Sequence, residues 1–412
     1  MQYGCIGEKL SHSFSKSIHA ELAEYTYELK ELAPTQVDGF MRAREFKAIN
    51  VTIPYKQTVI PYLQYIDPVA QSIGAVNTVV NKNGVLYGYN TDFYGLKSLL
   101  MSNHIDLWDK KVLILGSGGT SKTAAAVAKD MGAREYYRLS RRETEGCITY
   151  ERAKAEHSDA DVILNTTPVG MYPNIKGAAV DLADFPKVQA VADAVYNPLR
   201  SEIVLKAKEK GITAVGGLYM LVAQAAKAVE YFLDTAVEET KILDVFSKLK
   251  REKENIVLIG MPSCGKSTVG KLLSEKLGRT FVDTDTLIID KAGQSIPEIF
   301  ALRGEKAFRE IESEVIGQTS CLQGLVIATG GGVILREENV RELRRNGRLY
   351  FIDRPLAELI TTDDRPLSSD RAALEQRYRE RYEKYIGAAD HTLWTPDGAG
   401  AVAETILKEF AK

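Results

Sequence analysis

No run of 18 apolar residues occurs anywhere in the chain, so nothing in it reads as a membrane-spanning helix. Cysteine is scarce. The four present, Cys5, Cys147, Cys264 and Cys321, lie far apart with no C-x-x-C pair, which argues against both a disulfide framework and a zinc knuckle. The five histidines include no i, i+4 pair, so a helical two-histidine metal site is absent. Charge of one sign is also lacking: the formal net charge is −2, without the basic footprint of a nucleic-acid binder. The amino-terminal residues Met1–Gly7 carry no basic segment and no long apolar stretch of the kind that targets a chain for export, so a cytoplasmic protein is expected. None of these features specifies an oligomeric state.

With 412 residues, 45% of them hydrophobic and 26% charged, the chain has the composition of a globular protein and the length of two or three domains. Short apolar runs alternate with helical stretches almost throughout, which predicts an α/β fold. Lys111–Leu115 reads as a buried strand running into a glycine-rich turn and an alanine-rich helix over about 121–131. Ile256–Ile259 does the same before a second glycine-rich turn and a helix through Leu277. Two such phosphate cradles, beginning at Gly116 and Gly260, imply two nucleotide sites. The expected division is a substrate-binding domain over 1–103, completed by returning helices over about 218–246. A Rossmann-like nucleotide domain over 104–217 follows, then a linker over 247–254 and a P-loop domain over 255–412. Lys248–Glu254 holds six charges in seven residues and reads as a solvated linker or helix end.

The first cradle, Gly116-Ser117-Gly118-Gly119-Thr120-Ser121, is a G-x-G-x-x-G pattern with Ser121 at the third glycine position. Its first glycine permits the tight turn, and Gly118 and Gly119 let backbone approach a pyrophosphate at a helix N-terminus. The next strand ends in Ser140-Arg141-Arg142, where an NAD site usually places an acid. Two arginine forks there suit a 2′-phosphate and so NADP(H), although a solvated basic turn has the same composition.

Ahead of residue 100, Asn50–Lys56, Gly74–Thr78 and Gly88–Asp92 gather amide, hydroxyl, ammonium and carboxylate groups on strand ends and turns. Hydride transfer to a ketone needs a proton donor, and a lysine beside a carboxylate can supply one. Each residue has a duller use: Lys56 as a surface lysine, Asp92 as a helix cap, Asn77 and Asn90 as turn formers. The first 245 or so residues resemble the shikimate dehydrogenase family along their whole length. His12-Ser13-Phe14-Ser15 is similar to its H-S-x-S segment, Asn50–Lys56 to its N-V-T-x-P-x-K run, and Ala75–Thr78 and Asn90–Asp92 to two further signatures. Met220–Ala225 resembles the helix that returns to the substrate. The resemblance implies that Ser13 and Ser15 hold the shikimate carboxylate and that Thr52, Asn77, Asp92 and Gln224 bind substrate. It also implies that Lys56, paired with Asp92, is catalytic. Lys16 stands where the family usually has proline, Ser140-Arg141-Arg142 replaces the common asparagine-arginine-threonine, and Phe93-Tyr94 makes the turn after Asp92 bulkier.

The second cradle, Gly260-Met261-Pro262-Ser263-Cys264-Gly265-Lys266-Ser267, is a complete P-loop followed by Thr268. Its backbone N–H groups wrap phosphate oxygens, Lys266 meets the β- and γ-phosphates, and Ser267 binds Mg²⁺. Cys264 within it is either reactive or an incidental small residue. Asp283-Thr284-Asp285 is expected at a strand end, with both carboxylates on one face of an extended segment. One would assist the metal and the other an alcohol acceptor, with a capping or turn role as the alternative. Residues 255–412 resemble shikimate kinase over essentially their full length. Its D-T-D motif, its G-E-x-x-F-R segment (Gly304–Arg309), its triple glycine (Gly330–Gly332) and the start of its lid (Arg365-Pro366-Leu367) all have counterparts. These imply Asp283 near Mg²⁺ and the reacting hydroxyl, and Asp285 on the substrate hydroxyls. They also imply Gly331 and Gly332 at the substrate, Arg365 on the ATP phosphates, and Arg309 with Arg381 on the carboxylate. The stretch from Arg365 to Arg381 is short for the family, and Glu383 replaces its usual proline, so Arg377 or Arg379 is an alternative to Arg381.

Together the resemblances imply a bifunctional enzyme of aromatic amino-acid biosynthesis. NADPH would reduce 3-dehydroshikimate to shikimate, and ATP with Mg²⁺ would convert shikimate to its 3-phosphate; these small-molecule substrates would be its partners, with no nucleic acid and no membrane. The alternatives are an NAD-linked quinate/shikimate dehydrogenase, a non-catalytic nucleotide-binding regulator in the first half, and a kinase of another small hydroxy acid in the second.

Overall fold

A computed structural model describes residues 1–10, 14–360, 371–394 and 398–411. Two compact units divide the chain, Met1–Leu249 and Lys250–Lys412. No helix among the described residues is long and apolar enough to cross a membrane.

The first unit holds two sheets. Strands β1 (Tyr3–Gly7), β2 (Tyr27–Glu31), β3 (Ala48–Val51), β4 (Tyr65–Ile66), β5 (Thr78–Lys82) and β6 (Val85–Tyr89) form the first, in the order β2-β1-β3-β5-β6-β4. β5 runs antiparallel to both β3 and β6, and it joins β6 through a two-residue hairpin at the Lys82–Val85 pair in which Asn83 and Gly84 take positive φ. β3 is buried along its whole length, so the residues after Val51 emerge at its carboxyl end, where Thr52 and Lys56 lie.

The second sheet comprises β7 (Lys111–Leu115), β8 (Glu135–Ser140), β9 (Ile148–Thr149), β10 (Val162–Asn165), β11 (Ala190–Asp193) and β12 (Thr213–Val215). All its pairs are parallel, in the order β12-β11-β10-β7-β8-β9. The chain leaves β7 in one direction and returns at β10 on its other side. That reversal opens a crevice at the strand carboxyl ends, where such sheets take ligands. The helix Leu218–Leu233 then returns to the first sheet's domain and packs on the helix Thr91–Ser102. Gly95 lets the two meet closely: a Cβ there would lie 2.6 Å from the Met220 carbonyl oxygen and 2.8 Å from Gln224 Cβ.

The second unit is built on β13 (Asn255–Ile259), β14 (Phe281–Asp283), β15 (Val326–Ala328), β16 (Gly347–Asp353) and β17 (His391–Trp394). These are all parallel in the order β14-β15-β13-β16-β17, with β13 fully buried at the centre.

The structure decides two expectations. Of the two readings of Lys248–Glu254, the helix end rather than the solvated linker is observed: residues 247–253 are the last turns of a helix, Glu239–Lys253, on which Leu249 is buried. Glu254 beyond it is fully buried and accepts from Arg348 at 2.8 Å, while its backbone carbonyl accepts from Arg279. Charge density alone does not separate the two readings, because a buried ion pair uses the same residue types as a solvated run. The Asp283–Asp285 pair is likewise not on one extended segment. β14 ends at Asp283, which caps the helix Thr284–Ala292 by accepting from the Asp285 backbone N–H at 3.0 Å.

Two candidate active sites

In the first unit a cavity of about 470 Å³ opens between the two sheets, and Ser15, Thr52, Lys56, Asn77, Asp92 and Gln224 line it. Ser13 lies outside the described residues. Lys56 arrives from the turn after β3 and Asp92 from the first turn of the helix Thr91–Ser102, and Lys56 Nζ donates to Asp92 Oδ2 at 2.5 Å. Asp92 is free for this because Asn90 does the capping, accepting from the Phe93 N–H at 3.3 Å. Asn77 Nδ2 donates to Asp92 Oδ1 at 3.0 Å. Across the cavity, Gln224 Oε1 accepts from Thr91 Oγ1 at 3.2 Å, placed there by the close crossing at Gly95. The cluster can hold a small hydroxylated molecule and deliver a proton to it.

The crevice of the second sheet adjoins this cavity through Thr120, Ala194 and Gly217. Gly116 sits at φ 119°, and a Cβ on it would meet Thr166 Oγ1 at 2.8 Å, so both its conformation and the approach of the β10 loop require glycine. Gly118 heads the helix Gly119–Asp130 without a capping side chain, and open space surrounds both Gly118 and Gly119. Ser121 is tolerated at the third position because its buried hydroxyl donates to the Gly118 carbonyl at 2.8 Å. Gly116 N–H bonds the Leu139 carbonyl, which sets the end of β8 beside the cradle. There Arg141 and Arg142 are exposed, while the Ser140 hydroxyl is spent on the Arg142 carbonyl.

The second unit's cavity, about 660 Å³, lies over the P-loop at the carboxyl end of β13. Gly260, Ser263 and Gly265 all take positive φ, curling the loop so that its amides converge. Lys266 is 7% exposed and donates to the Gly260 and Met261 carbonyls at 2.9 and 2.8 Å. Cys264 is buried, its Sγ 3.7 Å from Lys266 Nζ; Thr268 lies on the cavity wall. Ser267 Oγ donates to Asp283 Oδ2 at 2.7 Å, and Asp285 faces the same space. Among the described residues no group of three or more His, Cys, Asp or Glu could hold a metal alone. A hydroxyl and a carboxylate this close nevertheless match the two hard oxygen ligands Mg²⁺ takes beside nucleotide phosphates.

Gly304, at φ 77°, interrupts the helical run Ile296–Ser320, and the segment after it aims Arg309 inward. Arg309 donates to Glu312 Oε2 at 2.8 Å and to Glu305 Oε1 at 3.2 Å. Gly330–Gly332 thread between these groups. A Cβ on Gly330 would meet Asp285 Oδ1 at 2.6 Å, one on Gly331 Pro262 at 2.8 Å, and one on Gly332 the Arg309 guanidinium itself. Their φ angles are ordinary, so these glycines are needed for the missing side chain rather than for the backbone. Arg381, on the buried face of the helix Arg371–Ala388, donates to the Gly331 carbonyl at 2.9 Å. Arg379 is exposed, and neither it nor Arg377 lines the cavity. Arg365 lies outside the described residues.

Sequence reasoning missed Glu312. It is almost wholly buried one helical turn beyond Arg309, its Oε1 has no hydrogen-bond partner among the described residues, and that atom would lie 3.3 Å from a Cβ at Gly330. Burial pushes its carboxyl above the usual glutamate range, against the pull of the Arg309 guanidinium. The i, i+3 spacing from Arg309 was the signal that could have found it.

Comparison with known proteins agrees with this geometry unit by unit. A family model described as the shikimate dehydrogenase substrate binding domain matches residues 5–79, and one described as shikimate kinase matches residues 262–411. The NADP(+) shikimate dehydrogenase of Clostridium beijerinckii is 34% identical over 267 residues, covering 61% of this chain and 98% of that protein. Among solved structures, shikimate dehydrogenase 1 from Peptoclostridium difficile is 36% identical, with a TM-score of 0.56 over 60% of this chain and 98% of its own. Shikimate 5-dehydrogenase from Thermus thermophilus in complex with NADP(H) and shikimate is 27% identical, with a TM-score of 0.55 over 60% and 99%. The chain belongs to the shikimate dehydrogenase family and carries a shikimate kinase domain in its carboxyl-terminal unit.

Proposed function

We propose that this one chain performs two consecutive reactions, NADPH-dependent reduction of 3-dehydroshikimate to shikimate and ATP-dependent phosphorylation of shikimate to shikimate 3-phosphate. The observation that carries this reading is that each unit brings its own assembled cavity. Lys56, Asp92 and Gln224 meet in one; Lys266, Ser267, Asp283, Arg309 and Arg381 meet in the other. The relatives matched to the first unit are named as NADP(+) enzymes, which disfavours the NAD-linked quinate alternative.

In the first unit Lys56 gives its proton to the carbonyl oxygen as hydride reaches the carbon, and Asp92 holds the ammonium and accepts from a substrate hydroxyl. NADPH supplies the hydride when bound. Ser15 faces the cavity and is assigned to the substrate carboxylate, a role the family resemblance also gives Ser13, while Thr52, Asn77 and Gln224 bind the ring hydroxyls. The amides around Gly116, Gly118 and Gly119 receive the pyrophosphate, and Arg141 with Arg142 the 2′-phosphate.

In the second unit the amides of Ser263, Cys264 and Gly265 wrap the phosphates and Lys266 stabilises the charge that develops on them. Ser267 and Asp283 would hold Mg²⁺, which would shield phosphate charge. Asp285 and Glu312 accept from the hydroxyls of shikimate, and Arg309 and Arg381 fork onto its carboxylate, with Arg365 reserved for the phosphates.

The test is a coupled assay with 3-dehydroshikimate, NADPH and MgATP. Shikimate 3-phosphate should form, and omitting NADPH should stop it. NADPH oxidation without phosphorylated product would sink the kinase half of the reading, and phosphorylation of added shikimate without NADPH oxidation would sink the dehydrogenase half.

A further inference from the structure

Behind Asp92 a buried file of polar side chains runs through Asn77 to Thr78, Asn50 and Tyr27, three residues to which the reaction as proposed gives no role. Tyr27 OH donates to Asn50 Oδ1 at 2.7 Å, and Asn50 Nδ2 donates to Thr78 Oγ1 at 3.1 Å. Thr78 Oγ1 donates to Asn77 Oδ1 at 3.1 Å, and Asn77 Nδ2 donates to Asp92 Oδ1 at 3.0 Å. Exposure along the file is 3% at Tyr27, 9% at Asn50, 0% at Thr78 and 3% at Asn77. Polar groups this deep are costly unless bonded, so a continuous file of them needs a reason.

Its direction gives one. The backbone N–H of Thr91 can only donate, and it bonds Asn77 Oδ1 at 2.7 Å, so the Asn77 amide must turn its NH₂ towards Asp92. The backbone carbonyl of Asn77 can only accept, and Asn50 Nδ2 reaches it at 3.4 Å, which orients the second amide the same way. Thr78, accepting from Asn50, has its own proton left for Asn77. Tyr27 starts the file as a donor: burial holds its phenol well above the ordinary tyrosine range, and the His19 ring stacks on it at 3.9 Å. That imidazole is itself neutral, burial having pushed it down to about 3. Every link therefore donates towards Asp92, whose other oxygen accepts from Lys56.

We infer that Tyr27, Asn50 and Thr78 are positioning residues of the dehydrogenase, a one-way file of donors that locks the Asp92 carboxylate as an acceptor and thereby aims Lys56 at the carbonyl oxygen. No proton moves along the file; it fixes orientation. The inference rests on the proposed roles of Lys56 and Asp92.

The test uses the full chain, with the temperature at which each preparation loses NADPH oxidation measured as a control for folding of the dehydrogenase unit. Thr78→Val keeps the volume and removes the hydroxyl. It should lower dehydrogenase kcat on the order of tenfold, the scale of a misaimed catalytic group, with KM for 3-dehydroshikimate changed less than about twofold. Thr78→Ser should restore most of kcat. Tyr27→Phe, at the far end of the file, should lower kcat in the same sense. In an Asp92→Asn background Thr78→Val should add no further loss, because the group it positions is gone. The inference is overturned if Thr78→Ser is as poor as Thr78→Val, which would mean packing, or if the Thr78 and Asp92 losses multiply. Should Asp92→Asn itself leave kcat intact, the proposed dehydrogenase mechanism fails first and by a different measurement.

Discussion

Lys56 and Lys266 each lie a few residues past the carboxyl end of a buried strand, yet they are held in opposite ways. Lys56 faces a carboxylate at 2.5 Å, whereas Lys266, more deeply buried, rests on two neutral backbone carbonyls. The difference follows from what each cation must do. A proton donor works by being coupled to a group that shares and replenishes its charge state. A phosphate clamp works by keeping its full charge, and a neighbouring carboxylate would cancel much of it. The kinase unit accordingly places its carboxylates on the arginines and on Ser267, away from the lysine.

That comparison breaks if the two lysines prove interchangeable in kind. Lys266→Ala should have the largest effect, lowering kinase kcat by about 10³-fold or more while leaving NADPH oxidation unchanged. Lys56→Met should cost on the order of 10²-fold in dehydrogenase kcat and nothing in the kinase. Lys56→Arg sharpens the contrast, because guanidinium keeps the ion pair with Asp92 but does not release a proton near neutrality. It should be about as inactive as the methionine variant. An active Lys56→Arg would mean that charge alone suffices and that the two sites work alike.

The P-loop was legible because strand, turn and helix lie within some twenty consecutive residues, and local chemistry alone forms the site. Lys56 and Asp92 are 36 residues apart and were readable only through resemblance, since nothing local to either says that they meet. The Asp283–Asp285 pair was misread because the length of β14 is decided by its pairing with Val326–Ala328, not by its own residues. Glu254 and Glu312 escaped for a related reason: a buried glutamate looks like a solvated one until its partner, Arg348 or Arg309, is in place. The file behind Asp92 runs from a tyrosine through short polar residues, on or next to three different strands, which no pattern along the chain connects.

A smaller effect is expected where charge is exposed. Arg141 and Arg142 lie in solvent at the end of β8, unlike the buried Arg309 and Arg381. Replacing both by alanine should raise KM for NADPH on the order of tenfold, the value of one or two charged hydrogen bonds, with kcat nearly unchanged. KM for NADH should hardly move. An equal rise for both cofactors would place the 2′-phosphate elsewhere.

The smallest effect separates the two units by how they bury a carboxyl group. Glu312 has an arginine against it; Asp193, at the end of β11, has only neutral donors. Asn165 Nδ2 and the Val195 N–H each donate to its Oδ1 at 2.9 Å, and Ser201 Oγ bonds Oδ2. Burial outweighs these bonds and pushes the Asp193 carboxyl up to about 7. In the unfolded chain the group ionises near 4, so between about pH 4 and 7 the folded state holds a proton that the unfolded state releases. The stability this confers is complete below pH 4 and lost as pH rises through 7. Asp193→Asn imitates the protonated acid, with an NH₂ to donate to Ser201 Oγ and an oxygen to accept from Asn165 and Val195, but it does not titrate. Between pH 5 and 8 the dehydrogenase unit of the wild type should therefore lose on the order of 1–3 kcal/mol relative to the variant. That is a Tm difference of several degrees, read from thermal loss of NADPH oxidation. Parallel Tm curves for the two proteins would mean that the Asp193 carboxyl stays ionised in the fold and that its three donors outweigh its burial.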